Sequence, residues 1–405
     1  MENSKLALIP SGYKSGKVYS ILPVDGSGDF NFYRATESSR VAENGLIESI
    51  YGIPTIDWLN SSCPNLLLEP QSTNLQLHSE DFNQGNWSKA NSSVVSNDTV
   101  SPKGVESADK LIPNTTNTFH HAQSITSGTV GYSSMTYSIF VKKAGYSQVE
   151  LLLAESVAPF TTRGQVLFDL DTLQTLTQPI GDFQYQDYGN GWYRLSITGV
   201  LFSYSAAIIR VAVFDNGSQT FSGNGIDGLY IWGAQYENKK FATSFIPTST
   251  QSQTRTLDIC NGGGDADLFN ISEGSLFFDA YTPNSASTTV LSLSDGTDNQ
   301  KIQLNFESSN SRVMTYSSGG VLYYNTLSFN QRSKILITFK LNEYKTYING
   351  FLVNTDTSAS VPTGMDRFNF STPNASSLHF EGNIYDSRVY DRVLTESESI
   401  QLTTI

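Results

Sequence analysis

The sequence lacks several features that place a chain in a familiar class. Its 405 residues contain no apolar run close to the roughly 20 residues that cross a bilayer. The N-terminus also lacks the basic, then apolar, then small-residue order of a signal peptide. Two cysteines and four scattered histidines do not form a zinc site of the usual spacing. We therefore expect a chain made in the cytosol, without a membrane span or a zinc centre.

The two cysteines, Cys63 and Cys260, stand just outside the two ends of a strand-rich block. Because the ends of a domain often lie close together, a disulfide between them is one interpretation. Two free thiols is the favoured one, since the chain matures in a reducing cell.

Basic clusters are missing as well. The chain has 25 Lys and Arg against 38 Asp and Glu, a formal net charge of −13. The field around such a protein repels nucleic acids and anionic membranes, so we expect neither as a partner.

Catalytic motifs are also missing. The sequence has no Gly-x-Ser-x-Gly, no His-Glu-x-x-His and no Glu-x-Asp-x-x-Glu strand. Glycoside hydrolysis by the usual route needs two carboxylates that flank a sugar cleft, and no motif singles out a pair among Asp169, Asp171, Glu343 and Asp386. We expect no enzyme.

What the sequence does have is typical of an all-β protein. Aromatic residues make up 12 %, including 21 Tyr and 23 Phe, whereas charged residues make up only 16 %. Apolar residues alternate with polar ones, as at Tyr137, Ile139 and Val141, the period-two pattern of a strand with one buried face. Pairs such as Asn216-Gly217 mark tight reversals between strands. The pattern predicts antiparallel sandwiches, or jelly rolls.

Turn signals and changes in sequence pattern divide the chain into four parts. Residues 1–60 show neither a helical stripe nor paired strands, and predict an extended arm for attachment or oligomerisation. Its partner could be the downstream domain, sister chains or a host particle. The arm residues expected to carry the packing are Phe30, Phe32, Tyr33, Leu46 and Ile47.

Two sandwiches follow the arm. The first covers residues 61–250, a polar linker or short covering strand covers 251–269, and the second covers 270–405. Thr395 and Glu398 form a capping box that predicts a short terminal helix.

Three runs in the first half resemble virion proteins of tailed phages, in order and spacing, over about residues 30–255. They are FYRATESSRVAENGLIESI leading to PNLLLEPQSTNLQLHSEDFNQGNWSKA, then SPKGVESADKL, then GNGWYRLSIT followed by GLYIWGAQYENKKFATSFIPTSTQSQTR. The resemblance implies a galactose-binding-like, carbohydrate-binding-module jelly roll. In the second half, TFKLNEYKTYINGFLV and FEGNIYDSRVYDRVLTESE resemble the concanavalin A-like, laminin-G-like sandwich, over about residues 270–405.

The resemblance implies a structural virion protein: a head or tail fibre, appendage or decoration subunit that is assembled in the host cytoplasm. Partners would be other virion proteins, sister chains in a trimer, and a host surface polysaccharide. A carbohydrate-binding adhesin or an accessory module of a glycan-degrading enzyme, outside any virion, is the alternative. The same fold serves sugar binding and protein binding, and head and tail locations are equally compatible with the pattern.

Carbohydrate modules stack a sugar ring on an exposed aromatic side chain and orient it with polar groups. The candidate aromatic side chains are Trp87, Tyr185, Tyr188 and Trp192. Asn190 and Asp187 lie near several of them in sequence and could supply polar groups. Core packing is the competing interpretation for Trp192, which lies in a predicted strand, whereas Trp87 lies in a polar loop.

No cofactor is expected other than a structural Ca²⁺, which modules of this type often hold with carboxylate and amide oxygens. The candidate ligands are Glu80, Asp81, Gln235 and Glu237. Hydrogen bonds within loops are the alternative role for them. The acidic loop at 294–298 is a further calcium candidate, but a plain solvated turn is the favoured interpretation of it. His120 and His121 are adjacent on a predicted strand and so point to opposite faces, which argues against a shared metal.

Overall fold

The protein is almost entirely β-structure, as the composition predicts. The computed structural model describes residues 4–126, 133–156, 160–201, 206–269, 272–283, 288–307, 312–317, 320–326, 329–375 and 377–405. The strands named below pair antiparallel. In these parts of the chain, no helix is long and apolar enough to span a membrane.

Two compact units make up the fold, and each is assembled from separate stretches of sequence. The terminal unit comprises Met1–Glu37, Ile50–Gln71 and Thr256–Ile405. The central unit comprises Ser38–Ser49 and Ser72–Arg255. The predicted linear order of arm, sandwich, linker and sandwich therefore differs from the observed one.

The central unit is a two-layer sandwich. What we call the front sheet has the strand order β10-β13-β20-β15-β16-β17, with β21 on β13, and the back sheet has the order β11-β12-β22-β14-β19-β18. The strands of this unit are β9 (Ser72–Asn74), β10 (Trp87–Ala90), β11 (Ser92–Val100), β12 (Glu106–Pro113), β13 (Thr118–Thr126), β14 (Ser133–Ala144), β15 (Gln148–Glu155), β16 (Thr162–Asp169), β17 (Gln174–Thr175), β18 (Asp182–Asp187), β19 (Tyr193–Leu201), β20 (Ala207–Phe214), β21 (Thr220–Phe221), β22 (Gly228–Glu237) and β23 (Gln253–Arg255).

The inner faces of the two sheets form one apolar core. Tyr137, Ile139 and Val141 of β14 are fully buried in it, as their alternation predicts. The Asn216-Gly217 reversal is also confirmed: both residues have positive φ, 48° and 78°, which suits the tight turn before β21.

The terminal unit contains the second sandwich. One sheet runs β32-β31-β30-β25-β34-β8-β7, with β1 on β34, and the facing sheet runs β29-β28-β27-β26-β33. Its first strands are β1 (Ser4–Leu8), β2 (Tyr13–Lys14), β3 (Lys17–Val18), β4 (Phe30–Tyr33), β7 (Ile56–Asp57) and β8 (Asn65–Leu68), and a boundary between the units crosses β5 (Glu37–Val41) and β6 (Ile47–Tyr51). The remaining elements are β24 (Ile259–Asn261), α1 (Ala266–Phe269), β25 (Glu273–Thr282), β26 (Thr288–Ser294), β27 (Lys301–Glu307), β28 (Arg312–Ser317), β29 (Gly320–Thr326), β30 (Gln331–Lys340), β31 (Glu343–Ile348), β32 (Phe351–Asp356), β33 (Arg367–Asn369), β34 (Gly382–Tyr390) and α2 (Glu396–Thr403).

The predicted terminal helix is present, and it begins as the capping box requires. Thr395 is the N-cap of α2 and its side chain accepts a hydrogen bond from the backbone N–H of Glu398. The carboxylate of Glu398 accepts the backbone N–H of Thr395 in return. Both donors at the helix start are thereby satisfied.

The first 60 residues do not form a separate arm. β1 pairs with β34, and β7 joins the same sheet by pairing with β8, so this stretch supplies strands to the C-terminal sandwich. Leu6, Leu8 and Phe30 are fully buried in the same core as residues of β25. Of the alternatives that the sequence left open, packing on the downstream part of the same chain is the one that the structure has.

The five arm residues therefore have different environments from those expected. Phe30 and Phe32 are buried in the core of the terminal unit, and Ile47 is buried in the central unit. Leu46 is half-buried, and only Tyr33 of the five is well exposed, at 63 %. Phe30, Phe32 and Ile47 are thus not available to sister chains.

A buried ion pair connects the N-terminal stretch with the predicted linker. Arg34 Nη1 lies 2.9 Å from Asp258 Oδ1, and both side chains are fully inaccessible. The guanidinium also donates to Thr55 Oγ1 and to two backbone carbonyls, while Asp258 Oδ2 accepts the backbone N–H of Glu69. Residues 251–269 are therefore part of the folded units rather than a free linker.

Both cysteines are free, as the favoured interpretation predicts. Cys63 is exposed, whereas Cys260 is buried in β24 and burial raises the pKa of its thiol.

Candidate functional site

The two predicted sugar-stacking tryptophans lie in the interior. Trp87 is 1 % exposed, its ring packs 4.6 Å from that of Phe82, and its Nε1 donates to the carbonyl of His78. Trp192 is 2 % exposed and its Nε1 donates to the carbonyl of Val100. Neither indole presents a face to a ligand, so core packing is the correct interpretation for both.

The two predicted tyrosines lie near the edge of the back sheet. Tyr185 is 45 % exposed, but its ring packs 5.0 Å from the buried ring of Phe168. Tyr188 makes an edge contact with Phe140, with ring centroids 4.8 Å apart. The nearby Asp187 carboxylate accepts the backbone N–H of Gly189, which shapes the turn. The four predicted aromatic residues do not form one platform.

The predicted calcium ligands have other partners. Glu80 pairs with Lys103 at 2.7 Å, and Asp81 accepts bonds from the next loop residues. Gln235 and Glu237 are fully buried, and their side chains bond to the segment at 243–246. Among the described residues, no three His, Cys, Asp or Glu side chains are arranged to hold a metal ion, so the three carboxylates Glu80, Asp81 and Glu237 are not gathered into a site.

The acidic loop at 294–298 has the geometry of a solvated turn. Asp295 accepts the backbone N–H and the hydroxyl of Thr297, and Asp298 pairs with Lys301. Calcium binding by the chain stays a prediction without an assembled ligand set.

A different group of side chains comes together on the outer face of the front sheet. Alternate residues of β13, β20, β15 and β16 point away from the core, and cross-strand register aligns them in rows. One such row crosses β13, β20, β15 and β16 and consists, in that order, of Gln123, Arg210, Leu152 and Gln165. We call this surface the front face and define it by Phe119, His121, Gln123, Glu150, Gln165, Arg210 and Phe214.

An ion pair occupies the middle of the front face. Arg210 donates from Nε and Nη2 to Glu150 Oε2, at 3.0 and 2.8 Å. Gln165 Nε2 donates to the other oxygen, Glu150 Oε1, at 2.7 Å. The Glu150 side chain is only 3 % exposed, although it lies on the outer side of the sheet. This carboxylate is therefore held in one orientation by donors on two neighbouring strands.

Aromatic rings lie beside this ion pair. The guanidinium of Arg210 stands 4.8 Å from the centroid of the Phe119 ring, within cation–π range. Phe119 also contacts Phe214 edge to face, at 6.1 Å, and the His121 ring at 4.7 Å. Phe214 packs with Leu167 and Ala212 in a small apolar cluster on this side of the sheet. The front face thus combines an apolar floor with fixed polar groups.

His121 is the titratable group with the strongest perturbation on this face. Burial, followed by the neighbouring positive charge of Arg210, lowers the pKa of His121 to about 4. Its Nδ1 is buried and has no hydrogen-bond partner. His120, by contrast, points inward, and both of its ring nitrogens bond to backbone carbonyls. The prediction that the two rings lie on opposite faces is confirmed.

Sequence reasoning missed the front face, although a signal for it exists. Phe119, His121 and Gln123 alternate along β13 and so share one face, with a ring, an imidazole and an amide in succession. The partners Glu150 and Arg210 lie on strands remote in sequence, and only the register of β15 and β20 brings them together.

Comparisons with known proteins give weak structural likenesses and one family match. No curated protein matches the chain. The Ruminococcus gnavus IT-sialidase CBM40 bound to alpha2,3 sialyllactose is 19 % identical, with a TM-score of 0.29, over 35 % of this chain and 93 % of that one. Domain 4 of AbnA, a GH43 extracellular arabinanase from Geobacillus stearothermophilus, in complex with arabinotriose, is 18 % identical, with a TM-score of 0.30, over 40 % and 82 %.

A third solved structure, Trypanosoma rangeli sialidase in complex with sialic acid, is 10 % identical, with a TM-score of 0.28, over 78 % of this chain and 62 % of that one. At these identities and TM-scores, the ligands of the three proteins do not transfer to this chain. Residues 272–398 match the family described as the concanavalin A-like lectin/glucanases superfamily. The resemblance stated for the second half of the sequence is confirmed, and the C-terminal part of the chain is a concanavalin A-like domain.

Proposed function

We propose that this protein is a non-enzymatic, glycan-binding structural subunit of a phage particle, and that the front face of the central unit is its glycan site. The observation that carries the glycan site is the buried Glu150, fixed by Arg210 and Gln165 on the outer side of a sheet beside two aromatic rings. A carboxylate on a solvated sheet face is normally exposed, and burying one is costly unless partners are arranged around it. The burial and fixed orientation of Glu150 therefore indicate a specific role for this position.

The chemistry of the front face suits a sugar. A pyranose ring has an apolar face that packs on aromatic and aliphatic side chains, while its hydroxyls need donors and acceptors at fixed positions. The half-buried Phe119 ring, supported from beneath by the buried Phe214, supplies the apolar contact, and Gln123, Gln165 and Arg210 supply the polar groups. Because Glu150 is already held by two donors, its part in the proposal is to orient Arg210 and Gln165 rather than to transfer a proton.

The assignment to a virion is supported by the sequence resemblance over residues 30–255. In this proposal the chain is a head or tail fibre, appendage or decoration subunit, it is assembled in the host cytoplasm, and it associates as a trimer. Attachment would use exposed residues of the N-terminal stretch rather than its buried rings. Among the described residues 4–60, the exposed hydrophobic side chains available for it are Val24, at 89 %, Tyr33, at 63 %, and Tyr51, at 67 %.

Glycan binding is tested by replacing single side chains of the front face with alanine in the full-length protein. The Phe119→Ala and Gln123→Ala variants should each weaken binding to host surface polysaccharide by at least about tenfold in affinity electrophoresis. Ile226→Ala is the matched control, because Ile226 is 70 % exposed and lies outside the front face. Binding by both front-face variants at wild-type strength, with unchanged melting temperatures, would refute the site.

The virion assignment needs its own tests. Mass spectrometry of purified particles should find the chain among the structural proteins, and light scattering of the full-length protein should give the mass of three chains. Truncation at residue 60 is not a usable test of assembly, because it removes core residues such as Phe30. A monomeric chain that binds glycan but is absent from particles would instead support the adhesin alternative.

A further inference from the structure

The charged groups of the front face and its rim carry no net positive charge. Arg210 is paired with Glu150 in the middle, and Arg163 is paired with Glu155, at 3.0 Å, near the end of β15. Asp169, at the opposite end of the same pair of strands, adds one further carboxylate. The basic side chains present are therefore already neutralised by carboxylates of the protein.

The geometry around Arg210 is unfavourable for a second carboxylate. Two of its guanidinium nitrogens are directed to Glu150 Oε2, and its guanidinium carbon lies over the Phe119 ring. An acidic sugar that reached Arg210 would place its own carboxylate beside that of Glu150, and like charges at such a distance repel strongly in a partly desolvated site.

Among the residues that define the front face, the other candidate cation is His121, and it is neutral at physiological pH, since its pKa is lowered to about 4. Its ring faces Phe119 on its own strand and is affected by the charge of Arg210 on β20. At longer range, the net charge of −13 repels a polyanion. Local and global electrostatics therefore act in the same direction.

We infer that the front face binds uncharged glycans, with hexose or pentose units whose only polar groups are hydroxyls, ethers or amides, and that it discriminates against uronic, sialic and sulfated sugars. This inference rests on the proposed glycan site. The two glutamines, Gln123 and Gln165, fit it, because an amide both donates and accepts and so matches a hydroxyl without a net charge.

The test compares neutral and acidic polysaccharides of matched length on the full-length protein, by calorimetry at neutral pH. We expect neutral polysaccharides to bind at least about tenfold more tightly, as one like-charge contact at short range requires. Neutral binding should also change little between low and high salt, since no charge on the ligand is screened.

The Glu150→Gln variant tests the cause. It leaves Arg210 with an uncompensated positive charge, so binding of acidic polysaccharides should strengthen at least about tenfold relative to the wild type. Asp171→Asn is the matched control, because it also removes one negative charge, from the exposed pair with Lys143. If Glu150→Gln does not fold, the salt dependence of wild-type binding decides the matter.

The outcomes separate the two proposals. Neutral binding that Phe119→Ala abolishes, with weak acidic binding, supports both. Tight, salt-sensitive binding of acidic polysaccharides that Phe119→Ala abolishes overturns the inference about ligand charge and leaves the glycan site intact. Binding of neither class overturns the proposed site, and the inference with it.

Discussion

The buried pair of Arg34 and Asp258 offers a sharp test of how the N-terminal stretch is held. In Asp258→Asn the side chain keeps its shape but loses its charge, and the guanidinium of Arg34 stays in a site that water does not reach. The remaining partners of that guanidinium, Thr55 Oγ1 and the backbone carbonyls of Thr36 and Ile53, are neutral. The variant therefore contains an uncompensated buried charge.

Breaking a buried ion pair by removing one partner costs about 3–5 kcal/mol. For a unit of roughly 200 residues, each kcal/mol lowers the melting temperature by about 2–4 °C, so a decrease of about 10 °C is expected. Scanning calorimetry of the full chain is the appropriate assay, because it can resolve the transition of the terminal unit from that of the central unit.

Two companions make the result interpretable. Asp171→Asn removes an exposed partner, in the central unit, and should shift stability by less than about 1 kcal/mol. The double variant Arg34→Met/Asp258→Leu replaces both charges by apolar groups and should recover most of the loss. If the melting temperature of Asp258→Asn decreases by less than about 2 °C, the reasoning is refuted, since an unpaired charge in a site without water should destabilise the unit by much more.

Three further predictions concern local features. Between pH 6.5 and about 4 the unfolded chain protonates His121 more readily than the folded one, so the free energy of unfolding of the central unit should decrease as the pH is lowered through this window. In urea unfolding at a series of pH values, His121→Gln should show a smaller decrease. Thr395→Ala should cost the terminal unit about 1 kcal/mol in thermal melting, with Thr395→Ser close to wild type. The native protein should react with one equivalent of a thiol reagent at Cys63, and with two in denaturant as Cys260 becomes accessible; two in the native state would contradict the burial of β24.

The fold class could be predicted from the sequence because it depends on local patterns. The alternation in β14, the Asn-Gly reversals and the capping box at Thr395 are each encoded within a few residues, and each is present. The placement of residues 1–60 could not be predicted in this way. Strand β1 is only five residues long, and what fixes it is an edge of β34, more than 300 residues away.

The candidate site shows the same limit. Trp87 and Trp192 are candidate sugar platforms by residue type alone, yet both side chains are buried in the structure. The front face is made of common residue types, and its chemistry arises only when register sets Arg210 beside Glu150. Residue type indicates what a side chain is able to do, whereas pairing across strands decides which side chains can act together.

The entry and exit of the central unit are side by side. β9 pairs with β23, so that Ser72 stands opposite Arg255, and the hydroxyls of Thr73 and Thr254 lie 2.8 Å apart. A cassette whose two ends meet can be exchanged by recombination for another with the same ends, and the rest of the chain keeps its path. The strip at 38–49 is the constraint on such exchange, because Ser39 donates to the carbonyl of Phe245 inside the cassette. Natural variants that exchange this segment should therefore change at 73–254 and at this strip together.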